Sequence, residues 1–252
     1  MCAECSEQEA RLSLNPFHRR SFLKKFAAIT AMAFVGTGAL SGVAHADALT
    51  KAQRDKLSPD EILTLMKQGN KRFYSGKPAD RNVLAQQRAS AKGQYPAAVL
   101  LTCIDSRASA ETILDLRIGD VFNSRVAGNV ENPDILGSME FACKLAGAKV
   151  VLVMGHTACG AIKGAIDNAE LGNLTGLLAK IKPAVAATSY TGERTSKNYA
   201  FVDAVARKNV EITIADIRKD SPVLAAMESN GAIKIAGAMY NLETGVIDFF
   251  AG

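Results

Sequence analysis

Lys149-Val150-Val151-Leu152-Val153-Met154-Gly155-His156-Thr157-Ala158-Cys159-Gly160 is the stretch on which the fold turns. After one charge it runs apolar without a break, too short for a helix and lacking the polar alternation of a strand that faces water. That pattern predicts a strand covered on both faces, as in parallel sheets packed between helix layers. Upstream, Ala97-Ala98-Val99-Leu100-Leu101-Thr102 repeats the pattern, and Val121-Phe122-Asn123-Ser124-Arg125-Val126 reads as another strand. Pro133 to Ala146, between that strand and the Lys149–Met154 run, reads as a helix stopped by Gly147. Downstream, helix is expected from Cys159 to about residue 188, from Ser196 to Arg218, and from Ser221-Pro222 to near Gly231. Ala232–Tyr240 and Val246–Phe250 flank the turn Asn241-Leu242-Glu243-Thr244-Gly245, which predicts a hairpin. The expected fold is α/β: a mainly parallel central sheet of four strands plus an antiparallel C-terminal edge strand, flanked by helices.

An N-terminal helical arm precedes the sheet, at about residues 58–91. Ser58-Pro59-Asp60-Glu61 is a helix start, with Ser58 as N-cap and Glu61 completing a capping box. Ile62, Leu63, Leu65, Met66 and Phe73 then recur near helical spacing up to Gly76, and helical character returns around Val83–Ala91.

At 252 residues, with 48% hydrophobic and 22% charged, the chain can bury a core and is not a disordered one. The net charge of +5 is dispersed, and no basic run marks a nucleic-acid partner. Three histidines, His18, His45 and His156, all but exclude a site built from several imidazoles.

Residues 1–46 read as an address. Arg19-Arg20-Ser21-Phe22-Leu23-Lys24 precedes an uncharged stretch from Phe26 to Ala44, and Ala44-His45-Ala46 is a cleavage site of the A-x-A kind. The paired arginines resemble a twin-arginine export signal, which implies delivery of a folded protein to the bacterial periplasm with no membrane anchor retained. A single mature domain, 47–252, is expected. It keeps Cys103, Cys143 and Cys159, an odd number that makes a poor disulfide framework, and one histidine, His156.

Two strand ends carry chemistry. One finishes in Cys103-Ile104-Asp105-Ser106-Arg107, the other in His156-Thr157-Ala158-Cys159. The carboxyl ends of strands in open α/β sheets line the ligand crevice, so both motifs can face one site. Two thiolates and an imidazole suit Zn²⁺, and three protein ligands leave a fourth position for catalysis. The helix that starts after Cys159 favours thiolate there. Asp105 and Arg107, two apart, share a face in extended geometry, and arginine can grip the carboxylate with both arms of its fork. Cys143 matches no ligand position and is expected in the core.

Cys-x-Asp-x-Arg followed some fifty residues later by His-x-x-Cys resembles the signature of the β-class carbonic anhydrases. Gly119-Asp120-Val121-Phe122 with Arg125, Gly128-Asn129, Gly137 through Ala142, and Ser221-Pro222-Val223-Leu224 extend the likeness over most of 58–250. The resemblance implies hydration of CO₂ to bicarbonate and a proton by hydroxide on one Zn²⁺ per subunit, held by Cys103, His156 and Cys159. Asp105 would orient that hydroxide and Arg107 would hold Asp105 off the metal, although in some members this carboxylate becomes a fourth ligand in a closed state. Gln94 resembles the glutamine that binds substrate across a dimer interface in the plant-like subclass, with the Gly160 amide beside it. Phe122, Ala127 and Phe141 match the apolar pocket wall. Leu100 stands where a regulatory tryptophan occurs in another subclass. The family assembles as dimers or larger, and the resemblance implies a homodimer or homotetramer here. A scaffold of this kind can also hydrolyse carbonyl sulfide or carbon disulfide, and a structural or redox zinc module is the non-enzymatic alternative. With His156 a ligand, no second imidazole is left to carry protons, so turnover is expected to lean on exogenous buffer.

Overall fold

The computed structural model describes residues 49–251; the export segment expected at 1–46, with its two histidines, lies outside them. Five strands form one sheet in the order β2-β1-β3-β4-β5: β1 Ala98–Thr102, β2 Val121–Arg125, β3 Val150–His156, β4 Lys234–Tyr240 and β5 Ile247–Ala251. The first four run parallel and β5 is antiparallel on β4, as expected. The helices are α1 Lys51–Lys56, α2 Pro59–Tyr74, α3 Val83–Ser90, α4 Ala110–Ile113, α5 Pro133–Glu140, α6 Gly160–Ile166, α7 Gly172–Ala187, α8 Tyr199–Asp220 and α9 Pro222–Ser229. None of these is long and apolar enough to cross a membrane.

β1 and β3 are buried along their whole length, which explains why their sequences do not alternate. Alternate residues still sort by face. Leu100, Leu152 and Met154 pack with Ile62, Leu63 and Met66 of α2 on one side. Val99, Leu101, Val151 and Val153 pack with Met139, Val210, Ile214 and Ile217 on the other. Each such side chain contributes about 1.5–3 kcal/mol on leaving water, so the two layers hold the strand ends that carry the site.

The arm is tied down by specific polar contacts. The Ser58 hydroxyl accepts from the Glu61 amide at 3.3 Å, and the Glu61 carboxylate accepts from the Ser58 amide at 2.7 Å, completing the expected capping box. Asn70, buried on α2, donates to the carbonyls of Ile113 (2.9 Å) and Gly245 (2.8 Å) and accepts from the Ile247 amide at 2.9 Å. One side chain thus staples the arm to α4 and to the C-terminal hairpin.

Three segments depart from the expected boundaries. The helix from Pro133 is α-helical only to Glu140 and then widens into a π-helical turn, Phe141–Leu145. The wider turn keeps both Ala142 and Cys143 buried while Phe141 stays exposed, and Gly147, at φ 84°, ends it as expected. Burial pushes the Cys143 thiol up to about 12, consistent with an inert core residue. The helical run after Cys159 breaks between α6 and α7, where Asn168 takes a left-handed backbone at φ 53°. α1 has no counterpart among the expected helices, yet Thr50 and Gln53 form its own capping box.

Candidate metal centre

The parallel register pairs Thr102 at the end of β1 with Met154 of β3. Cys103 therefore leaves its strand one residue later, close to the point where β3 delivers His156. Cys159 follows as the N-cap of α6. The three ligand atoms of Cys103, His156 and Cys159 lie within 4.8 Å of one another, and all three residues are buried. The two sulfurs are 4.0 Å apart, far too long for a disulfide. A tetrahedral zinc with Zn–S bonds of about 2.3 Å would hold them about 3.8 Å apart.

His156 supplies the strongest test of fit. Its Nδ1 lies 2.9 Å from the Thr157 carbonyl, an acceptor only, so in the neutral ring Nδ1 carries the proton and Nε2 does not. That Nε2 is buried and has no hydrogen-bond partner among the described residues. A buried imidazole lone pair that faces two sulfurs and meets no donor is suited to a metal, and the donor set fits Zn²⁺.

A hydrogen bond from the Cys159 thiol draws the Cys103 thiol well below its ordinary value against the opposing pull of burial, and His156 and the Gly128 amide help. Cys159 is correspondingly raised by its bond to Cys103 and by burial, although the first amides of α6, at Ala161 and Ile162, favour its thiolate as expected. For His156, burial opposes the imidazolium, but the negative charge of the neighbouring Cys103 sulfur and of Asp105 favours it and raises the pKa. The Gly128 amide lies 3.4 Å from the Cys103 sulfur, presented by a 3₁₀ turn over Ala127–Asn129 in which Gly128 has φ 71°.

Asp105 and Arg107 form the expected fork. Arg107 donates from Nε to Oδ1 at 3.0 Å and from a terminal nitrogen to Oδ2 at 2.8 Å, and its own amide adds a third bond at 3.0 Å. These bonds hold the Asp105 carboxyl well below the usual carboxylate range. Oδ2 sits 3.8 Å from the unpartnered Nε2 of His156, at the edge of the cluster. Arg125 fixes the backbone that carries both groups, donating to the carbonyls of Cys103 (2.9 Å) and Asp105 (2.5 Å).

Residues 98–247 match the carbonic anhydrase family model. Carbonic anhydrase 2 of Mycobacterium tuberculosis is 34% identical over 182 residues, covering 71% of this chain and 87% of that protein. The carbonic anhydrase of Mycolicibacterium smegmatis is 31% identical over 185 residues, covering 73% and 89%. A tetrameric β-carbonic anhydrase of Sordaria macrospora superposes with TM-score 0.57 at 25% identity, over 64% of this chain and 84% of that one. The Aspergillus fumigatus β-carbonic anhydrase CafA gives 0.56 at 29% identity, over 65% and 79%. The chain belongs to the β-carbonic anhydrase family.

The remaining pocket residues expected of a β-carbonic anhydrase fall in two places. Ala127 stands beside Gly128 near the cluster, and Gly160, exposed, opens α6 directly after Cys159. Gln94 is exposed in the loop before β1, at the opposite end of the sheet from Cys103. Phe122 pairs in register with Val99, four residues short of Cys103, which is about 13 Å along the strand. It meets exposed Phe141 edge-on at 6.2 Å in a surface groove of about 610 Å³. One chain therefore does not bring Gln94, Phe122 or Phe141 to its own metal cluster.

Proposed function

We propose that this chain hydrates CO₂ reversibly to bicarbonate and a proton, using Zn²⁺ held by Cys103, His156 and Cys159. The observation that carries the metal is the buried, unpartnered Nε2 of His156 facing two sulfurs 4.0 Å apart. When bound, Zn²⁺ supplies a water made acidic enough to act as a nucleophile near neutral pH. With the metal bound, Asp105 Oδ2, 3.8 Å from His156 Nε2, would accept a hydrogen bond from its water and so orient that water toward CO₂. The Arg107 fork keeps that carboxylate ionised and pinned to one side. The Gly160 amide, at a helix start with no intrahelical acceptor, offers a donor to a bicarbonate oxygen.

Gln94, Phe122 and Phe141 complete the pocket only across an interface, each copy lending them to its neighbour, in the manner of the plant-like subclass. Assembly as a homodimer or homotetramer follows from this reading, and the tetrameric relative supports it. The paired arginines at 19–20 support folded export to the periplasm, with zinc loaded beforehand so that Cys103 and Cys159 travel as protected thiolates. The named relatives are carbonic anhydrases, so neither the carbon disulfide alternative nor a structural zinc module is favoured.

Zinc analysis with stopped-flow CO₂ hydration tests the reading. About one zinc per chain with activity is expected, and Cys103→Ser should fold while losing both. A Cys103→Ser protein that keeps full activity would overturn the assignment.

A further inference from the structure

The turn between the two ligand positions carries an unusual backbone. Ala158, one residue before Cys159, has φ 55°, a left-handed conformation that residues bearing a β-carbon seldom adopt. The turn is pinned from three directions. The Thr157 amide donates to the Tyr240 carbonyl at 3.0 Å, and the Thr157 hydroxyl accepts from the Leu242 amide at 3.0 Å. The Ala158 amide itself donates to Asp203 Oδ1 on α8 at 2.8 Å, across 45 residues of sequence.

Among the described residues, no ion pair explains Asp203. Its neighbour on the same helix, Arg207, is committed to Asp248 at 2.7 Å. Among the described residues, the hydrogen-bond partner of the Asp203 side chain is the Ala158 amide. A carboxylate half-buried beside a cleft formed with Thr157, Met239 and Asn241 thus spends its acceptor on the one strained peptide of the ligand turn. If Ala158 relaxed to the right-handed region, the direction in which the chain delivers Cys159 to the cluster would change.

We infer that Asp203 is a positioning residue for the metal centre, holding Ala158 in its left-handed conformation so that Cys159 meets His156 and Cys103 in ligand geometry. Resting on the zinc reading above, it adds a residue that touches neither metal nor substrate. An aspartate is suited to the task, because a charge-assisted acceptor holds an amide more firmly than a neutral one.

The test compares zinc release from the purified zinc-loaded protein into excess chelator, with visible spectra of the Co²⁺-substituted forms. Asp203→Ala is expected to release zinc about ten-fold faster or more and to alter the Co²⁺ bands. Asp203→Asn, which keeps a carbonyl acceptor, should stay within about three-fold of the parent. Ala158→Gly removes the strain that Asp203 opposes, so Asp203→Ala in that background should cost clearly less than in the parent. Equal release from Asp203→Ala and the parent would overturn the inference, as would an Asn variant as fast as the Ala variant. An undiminished effect of Asp203→Ala when combined with Ala158→Gly would overturn it too. Should Asp203→Ala fail to fold, the Asn variant and the double variant decide. A parent that binds no zinc would instead overturn the metal reading itself.

Discussion

Replacing Gly128 by alanine tests how tightly the fold is built around Cys103. Gly128 has φ 71°, and an added Cβ would come within 2.6 Å of Ile181 Cδ1 and 3.3 Å of the Ala161 Cβ. The left-handed backbone costs a β-carbon roughly 1–2 kcal/mol, and crowding a packed core adds about 1–3 kcal/mol. The peptide cannot simply turn away, because its amide faces the Cys103 sulfur at 3.4 Å and its carbonyl accepts from buried Asn209 at 2.7 Å. The expected loss is therefore about 2–5 kcal/mol, read as a fall in melting temperature at fixed free zinc, since bound metal shifts the midpoint. Ile181→Val deletes the Cδ1 atom that clashes and by itself should cost about 0.5–1.5 kcal/mol. Combined with Gly128→Ala it should recover the crowding part and leave the backbone part, a favourable coupling of about 1–3 kcal/mol. Two strictly additive substitutions would refute the clash, and a Gly128→Ala protein as stable as the parent would refute the whole chain of reasoning.

Arg107→Ala should lower the hydration rate about ten- to a hundred-fold at unchanged zinc content, because Asp105 loses its fork but the ligands do not; Arg107→Lys should restore little, lacking two arms. Asn70→Ala removes three hydrogen bonds, those with the Ile113 carbonyl and the Ile247 amide buried, and should cost about 3 kcal/mol in denaturant unfolding. A loss below about 1 kcal/mol would mean that the arm is held by its apolar face alone. Asp115, buried against Arg72 and Arg81, has its carboxyl lowered: burial pushes it up, but hydrogen bonds from Arg81, Arg72 and the Ala79 amide outweigh that. A depressed folded pKa contributes stability that is full above the ordinary carboxylate value of 3.8 and is lost as pH falls through the lower folded value. Melting curves should therefore drop more steeply with acid below about pH 4 in the parent than in Asp115→Asn; parallel curves would count against it.

The parts legible in the sequence were those where one local signal has one physical meaning. The runs at 97–102 and 149–154 read as strands covered on both sides, and the Cys-x-Asp-x-Arg and His-x-x-Cys motifs at their ends share a crevice because the two strands pair in parallel. The Ser58 capping box and the Gly147 stop were equally direct. What stayed hidden depends on distant contacts. The partnership of Asp203 with Ala158 spans two elements and leaves no spacing signature. The left-handed backbone of Ala158 has no glycine to announce it. The π-helical turn at Phe141–Leu145 reads as ordinary helix because no glycine or proline within it marks the change. Gln94 and Phe122 carry the right identities, but only the strand register shows that they stand at the far end of the sheet from Cys103, where one chain cannot use them at its own cluster.

The central claim is that Cys103, His156 and Cys159 hold a zinc that hydrates CO₂. Its most direct test is X-ray absorption at the zinc edge on the purified mature protein, paired with stopped-flow CO₂ hydration of the same sample across pH 6–9. Two sulfur ligands near 2.3 Å, one imidazole nitrogen and one light fourth ligand are expected, with activity that scales with zinc content. Active protein without zinc, or zinc ringed by ligands from elsewhere in the chain, would contradict it.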